Sequence, residues 1–355
     1  MRFGLFGSAQ ADTSDLGPET GQGFRDYLDY CVEGEALGFH SSFLVEHHFT
    51  GWNQVSATLT LLTALAMRTS RLRLGSGVMV LPWHHPVLLA EQAATLDLIS
   101  DGRLDFGIGK GYRHSEFKGF GIPRDEAEAR FEEALDVIRR SWTSRQRFSH
   151  HGRFWRFEDI VVEPPTAQQP HPPIWVAAAS APSIRRAAAR GFNLILDQYA
   201  APDAIGERIA LYRSEREARG QRFDPMQVAV ARQVYVAKNK ADTDAALERL
   251  AKYTQRTVAV SRAPDAKSGA HVLAYADGAG GTETNALYGT ANEICGKLHA
   301  LNKAGAEYAL LTISGGKEQL RRFARDIMPE FSGGRLVAPQ LAAESRPELI
   351  DTGVV

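Results

Sequence analysis

The chain has 355 residues, with 41 Lys+Arg against 42 Asp+Glu for a formal charge of −1. Its 44% hydrophobic and 23% charged content is that of a folded chain and excludes intrinsic disorder. The balanced charge offers no basic field to nucleic acid or acidic lipid.

The two cysteines, Cys31 and Cys295, form no CxxC pair, which excludes a disulfide framework and a cysteine-based zinc site. The longest apolar stretch, 57–67, is too short to span a bilayer and is broken by threonines. The apolar run between Arg2 and the Ala-Gln-Ala at 9–11 is shorter than a signal core, so the expected location is cytoplasmic.

In chain order, residues 2–6 read as a short apolar strand. Phe24, Tyr27, Leu28, Cys31 and Val32 then recur on one helical face. That pattern stops at Gly38, and the strand SSFLVEHH follows at once. The same punctuation repeats at Gly102 before RLDFGIG, at Gly191 before NLILD and at Gly305 before YALLTIS. Glycine just past a helix end supplies the left-handed cap that turns the chain into the next strand.

Eight strands are predicted, centred near Gly4, Phe43, Leu74, Phe106, Val176, Leu194, Val234 and Leu310, each followed by a helical pattern. Several are continuous apolar runs, as strands buried on both faces must be. Right-handed β-α crossovers repeated eight times close into a barrel. The expected fold is therefore α/β, a single (β/α)8 TIM barrel over residues 1–331; a doubly wound sheet is the alternative. Two insertions break the rhythm. Residues 147–162 read as a β-hairpin around His151-Gly152, with His150 and His151 as solvated turn residues. Residues 263–288, rich in Gly, Ala and Asp, read as a lid between the seventh and eighth strands. Residues 332–355 form a tail expected to wrap the surface.

Loops after barrel strands carry the working groups. Here they hold Glu46-His47-His48-Phe49, then Pro82-Trp83-His84-His85-Pro86, then Gly109-Lys110-Gly111-Tyr112-Arg113-His114, then Ala179-Ser180-Ala181-Pro182-Ser183. A metal is not expected, because the histidines are adjacent pairs whose members point to opposite faces of a strand. FGIGKG at 106–111 does not open directly into a helix, so it is no dinucleotide loop. Its glycines admit either a flat ligand close to the backbone or a tight turn. Ser180 and Ser183 flank a helix start, where they either cap the helix or bind an anion, with Lys110 and Arg130 as available cations.

Together these residues resemble the bacterial luciferase family of flavin-dependent monooxygenases. The resemblance runs from Met1 to about Phe331 and rests on EHHFTG at 46–51, VMVLPWHHP at 78–86, RLDFGIGKGYRHSEFKGFG at 103–121 and WVAAASAPS at 175–183. It implies a barrel holding FMN across the strand ends, with His47 in the place of the catalytic histidine and acting as general base. It implies that Lys110, Arg130, Ser180 and Ser183 hold the flavin phosphate. Gly77 and Val78 match the bend beneath the isoalloxazine, where the family has a non-proline cis peptide. The chain departs from the pattern at three places: Gly109 stands where luciferase has a cysteine near the ring, Lys110 replaces an arginine, and Ala179 replaces an acidic residue. Light emission is therefore not implied.

What the resemblance implies is a two-component monooxygenase, taking reduced FMN from a separate NAD(P)H:flavin reductase and using O2 to oxygenate a small organic substrate. A deazaflavin-dependent oxidoreductase of the same fold and a non-catalytic flavin-binding protein are the alternatives. A homodimer is expected, because the helical pattern at 55–67 is apolar around nearly its whole circumference.

Overall fold

A computed structural model describes residues 1–9, 21–51, 55–261 and 284–332. Its strands are β1 (Arg2–Gly7), β2 (Ser41–Leu44), β3 (Arg73–Ser76), β4 (Met79–Val80), β5 (Leu104–Gly109), β6 (Phe148–His151), β7 (Arg156–Ile160), β8 (Ile174–Ala177), β9 (Asn193–Leu196), β10 (Val228–Val236), β11 (Leu287–Gly289) and β12 (Tyr308–Ile313). Parallel pairings run β1–β2–β3–β5–β8–β9–β10–β12 and return from β12 to β1. The sheet is closed, and each strand centre expected from the sequence lies in one of these eight strands. A doubly wound open sheet is thereby ruled out. The glycines at the helix-to-strand turns, Gly38, Gly102, Gly191 and Gly305, all take positive φ.

Between strands lie helices that pack on the barrel's outside. Those that frame the site are α1 (Gln22–Ala36), α2 (Thr58–Ala66), α3 (Pro86–Ile99), α4 (His114–Gly119), α5 (Ala127–Thr143) and α6 (Ala181–Arg190). On α2 the side chains Leu59, Leu62 and Leu65 are buried, and Met67 just beyond it is 67% exposed. Among the described residues, no helix is long and apolar enough to cross a membrane.

The barrel interior is filled. Phe43, Trp175, Ile195, Ala229, Tyr308 and Leu310 form one buried cluster, and Val78 packs against it. Phe43 meets Trp175 edge to face at 5.5 Å. Arg73 grips Asp105 with two donors at 2.7 and 2.8 Å, and the Trp175 indole donates to the same carboxylate at 3.0 Å. A paired charge is the form in which ions survive burial.

The inserted hairpin is β6 with β7, antiparallel, pairing His151 with Arg156. Its tip is tied down by Glu133 of α5, which accepts backbone N–H groups from Arg153, Phe154 and Trp155 at 3.0–3.1 Å. Glu133 also binds His150 at 3.1 Å, so His150 is not a solvated turn residue; His151 is exposed. The segment expected as a lid lies mostly outside the described residues. Its last part does not fit that reading: Leu287 and Tyr288 are buried in β11, which extends the sheet by pairing with β10.

Candidate active site

The site is built where β2, β5 and β8 end. After Leu44 the chain leaves the sheet, and Glu46, 2% exposed, turns inward. One of its oxygens accepts from His84 Nε2 at 2.6 Å and from His48 Nε2 at 3.1 Å. The other accepts the Val80 backbone N–H at 2.6 Å. Burial pushes this carboxyl up, but the His48, His84 and Val80 hydrogen bonds outweigh it and hold Glu46 below its ordinary value. Glu46 thus joins the β2 loop to the segment after Gly77–Val78, which is the expected non-proline cis peptide.

His47 faces elsewhere. Its Nδ1 lies 3.1 Å from Glu116 Oε1, and the same oxygen accepts the His48 N–H at 2.9 Å. Glu116 is buried on α4, and the preceding loop residue, Arg113, brings Nη1 to 3.9 Å from it. A carboxylate at Nδ1 selects the Nδ1–H tautomer and leaves the Nε2 lone pair free. Burial lowers the His47 pKa; Glu116 pulls it back up and Arg113 pushes it down, with a net depression. The imidazole is therefore neutral and oriented, as a proton acceptor must be.

An aromatic wall packs around the neighbouring His48. Phe120 lies 4.8 Å from His48, 5.0 Å from Phe49 and 5.4 Å from Trp83, ring centre to ring centre. Phe49 holds φ +55, and its ring lies over Gly119 so closely that a Cβ there would come within 2.3 Å. Gly119 is thus required for the wall to close.

On the other side, a cavity of about 100 Å³ opens between the ends of β5 and β8 and runs down between α5 and α6. Gly109, Lys110, Val176, Ser183, Arg186 and Arg190 line it. Lys110 pairs with Glu128, and Arg190 with Glu132. Arg186 has no hydrogen bond or ion pair among the described residues. Ser180 caps α6 by accepting the Ser183 N–H, and the two hydroxyls lie 2.9 Å apart. Ala179 immediately precedes this cap. Arg130 is placed differently from the expectation: it does not line the cavity. Its guanidinium is held by Glu126 at 2.9 Å and lies 4.3 Å over the Phe154 ring of the hairpin. Gly109 has ordinary negative φ, and a Cβ on it would lie 2.6 Å from Val78. The close approach it permits is by Val78.

The structure therefore brings Lys110 and Ser183 to one cavity, with Ser180 hydrogen-bonded to Ser183, and ties the loop that carries His47 through Glu46 to the segment after Gly77–Val78. Sequence reasoning missed Glu46, Glu116 and Arg186 as site residues. Both glutamates lie inside the quoted motifs, but their partners are 34 and 69 positions away.

A closed parallel barrel with an oriented histidine and a cation-lined cleft at its strand ends has the layout of a β/α-barrel enzyme. Residues 1–308 match the family described as luciferase-like monooxygenase, and the chain belongs to that family. The oxygenase component of a flavin-dependent trigonelline monooxygenase from Acinetobacter baylyi is 27% identical over 95% of this chain and 97% of its own. An uncharacterized protein of Sinorhizobium fredii is 30% identical, and there the match spans 63% of this chain and 64% of that one. The crystal structure of monooxygenase RslO1 from Streptomyces bottropensis superposes with a TM-score of 0.77 at 27% identity, covering 94% of this chain and 100% of its own.

Proposed function

We propose that this chain is the oxygenase component of a two-component system, which takes reduced FMN from a separate NAD(P)H:flavin reductase and uses O2 to oxygenate a small organic substrate. The observation that carries the reading is His47, neutral and held by Glu116 at the mouth of a barrel of this family. The Acinetobacter relative's description as an oxygenase component supports the division of labour.

The residues fit FMN. Lys110, Arg186 and the hydroxyls of Ser180 and Ser183 suit a phosphate at the start of α6, where N–H groups and the helix dipole add to the attraction. Gly77, Val78, Gly109 and Ala179 border the strand ends where the ring would lie. Arg130 secures the hairpin tip on the flank of this cleft. Reduced FMN, when bound, supplies the electrons that activate O2. His47 accepts a proton at Nε2, Glu116 at Nδ1 holds the ring in place, and the Trp83–Phe120 wall excludes water.

A homodimer belongs to the same proposal. Met67, just past α2, and Leu88, Leu98 and Ile99 on α3 are exposed apolar side chains, and the two helices pack against each other. Sedimentation as a monomer at micromolar concentration would remove it.

The central test is reconstitution. Protein with FMN and NADH alone is expected to turn over no substrate and to consume little NADH; adding a free flavin reductase restores oxygen-dependent turnover. Rapid NADH oxidation without reductase refutes the two-component reading. Tighter binding of deazaflavin than of FMN moves the chain to hydride transfer.

A further inference from the structure

Arg113 is a buried cation that the chemistry above does not use. It is 3% exposed, and its Nε and Nη1 are buried without a hydrogen-bond partner. The nearest anion, Glu116 Oε1, stays 3.9 Å away and is already engaged by His47 and the His48 N–H. A guanidinium carries five donors, and leaving them unpaired in the interior is costly. A second orphan donor belongs to the same cluster: the Trp83 indole N–H is buried with no acceptor. Trp83 packs on Phe117 at 5.7 Å, and Phe117 is on α4, the helix that Arg113 introduces. Beside them Phe49 and Phe120 leave 59% and 37% of their surfaces exposed. Donors without hydrogen-bond partners and open ring surfaces therefore lie around one loop, the rings against His48 and Arg113 beside the Glu116 that holds His47.

We propose that the substrate is a planar aromatic carboxylic acid, its carboxylate received by Arg113 and its ring laid against Phe49, Trp83 and Phe120. The inference rests on the oxygenase reading for its claim that the substrate sits beside His47. An ionised carboxylate gives the guanidinium a charge-assisted hydrogen bond, which neutral amides and alcohols do not. The aromatic wall receives the apolar body, and ring-on-ring contact adds to its burial.

The test compares acids with their uncharged counterparts on the full chain, by calorimetry, with and without FMN. Benzoate, phenylacetate and 2-naphthoate are titrated against benzamide, phenylacetamide and 2-naphthamide. The acids are expected to bind at least about tenfold more tightly, the scale of a hydrogen bond to a charged group. Arg113→Met removes that preference, and Arg113→Lys keeps part of it. Because Arg113 makes no hydrogen bond through Nε or Nη1 and its ion pair with Glu116 is long at 3.9 Å, the ligand-free Arg113→Met variant should unfold at a urea midpoint no lower than that of the parent; a lower midpoint would mark Arg113 as structural and overturn the proposal. Acids and amides binding alike, no acid binding, or a preference that survives Arg113→Met would also overturn it. If Arg113→Met leaves benzoate binding unchanged but shifts the reduction potential of bound FMN, the anion is on the reduced flavin ring and the substrate proposal falls. Failure of FMN to bind the parent chain would refute the oxygenase reading while leaving the acid–amide comparison intact.

Discussion

Glu46 Oε2 accepts the Val80 backbone N–H at 2.6 Å, while Oε1 holds His84 at 2.6 Å and His48 at 3.1 Å. One buried carboxylate thus fixes the loop that presents His47 against the segment that follows Gly77–Val78. Glu46→Gln keeps the shape but supplies one acceptor oxygen where the carboxylate had two. The expected loss is about 2–3 kcal/mol, read as a lower urea midpoint at unchanged slope. A midpoint equal to the parent's would show that the clamp is dispensable.

His47 and Glu116 separate in their kinetic signatures. Under the proposed function, His47→Ala slows turnover by about two to four orders of magnitude and leaves FMN affinity nearly unchanged. Glu116→Gln keeps an acceptor for Nδ1 but loses the charge, so the rate falls by roughly ten- to a hundredfold. Glu116 raises the His47 pKa, so its removal moves the acid limb of kcat/KM to lower pH. A limb that moves to higher pH, or a His47→Ala enzyme with full activity, would refute the assignment.

The phosphate site yields a comparison between two arginines. Arg186 lines the cleft with Ser183 and Lys110, whereas Arg130 is engaged by Glu126 and Phe154. Arg186→Met, and the double change Ser180→Ala with Ser183→Ala, should each weaken FMN binding by about tenfold or more, measured by flavin fluorescence quenching. Arg130→Met should leave FMN affinity within about threefold, since a surface ion pair contributes less than 1 kcal/mol. The reverse order would move the phosphate to Arg130.

Acid should destabilise the fold through its histidines. Burial, with Arg2 adding to it, holds His40 down to about 4, and burial also depresses His47. An unfolded histidine titrates near 6.5, so between roughly pH 4 and 6.5 the unfolded chain binds protons that the native one refuses. Stability from these groups is complete above that window and falls as pH drops through it. Urea midpoints measured across the window should decline in the parent and decline less in His40→Asn. Equal slopes would remove His40 from the account.

The period of the barrel was legible because its signals are local. Continuous apolar runs, helical faces such as Phe24 to Val32, and the glycines at 38, 102, 191 and 305 need no knowledge of distant residues. The Ser180–Ser183 cap was legible for the same reason, and the Gly77–Val78 bend through the family resemblance, which rests on contiguous motifs. The sequence by itself therefore determined the barrel, the loops that bear chemistry and the candidate histidine. It did not determine which way adjacent side chains turn or which carboxylate meets them. His47 goes to Glu116 and His48 to Glu46, and those choices depend on strand ends brought together by closure of the sheet. Leu287 and Tyr288 became a strand because β10 offered a free edge beyond its barrel pairings. The phase of two neighbouring helices turned Arg130 onto the hairpin and Arg186 into the cleft. Contacts of this kind join residues far apart in the chain, so no local pattern encodes them, and only the packed tertiary structure decides them.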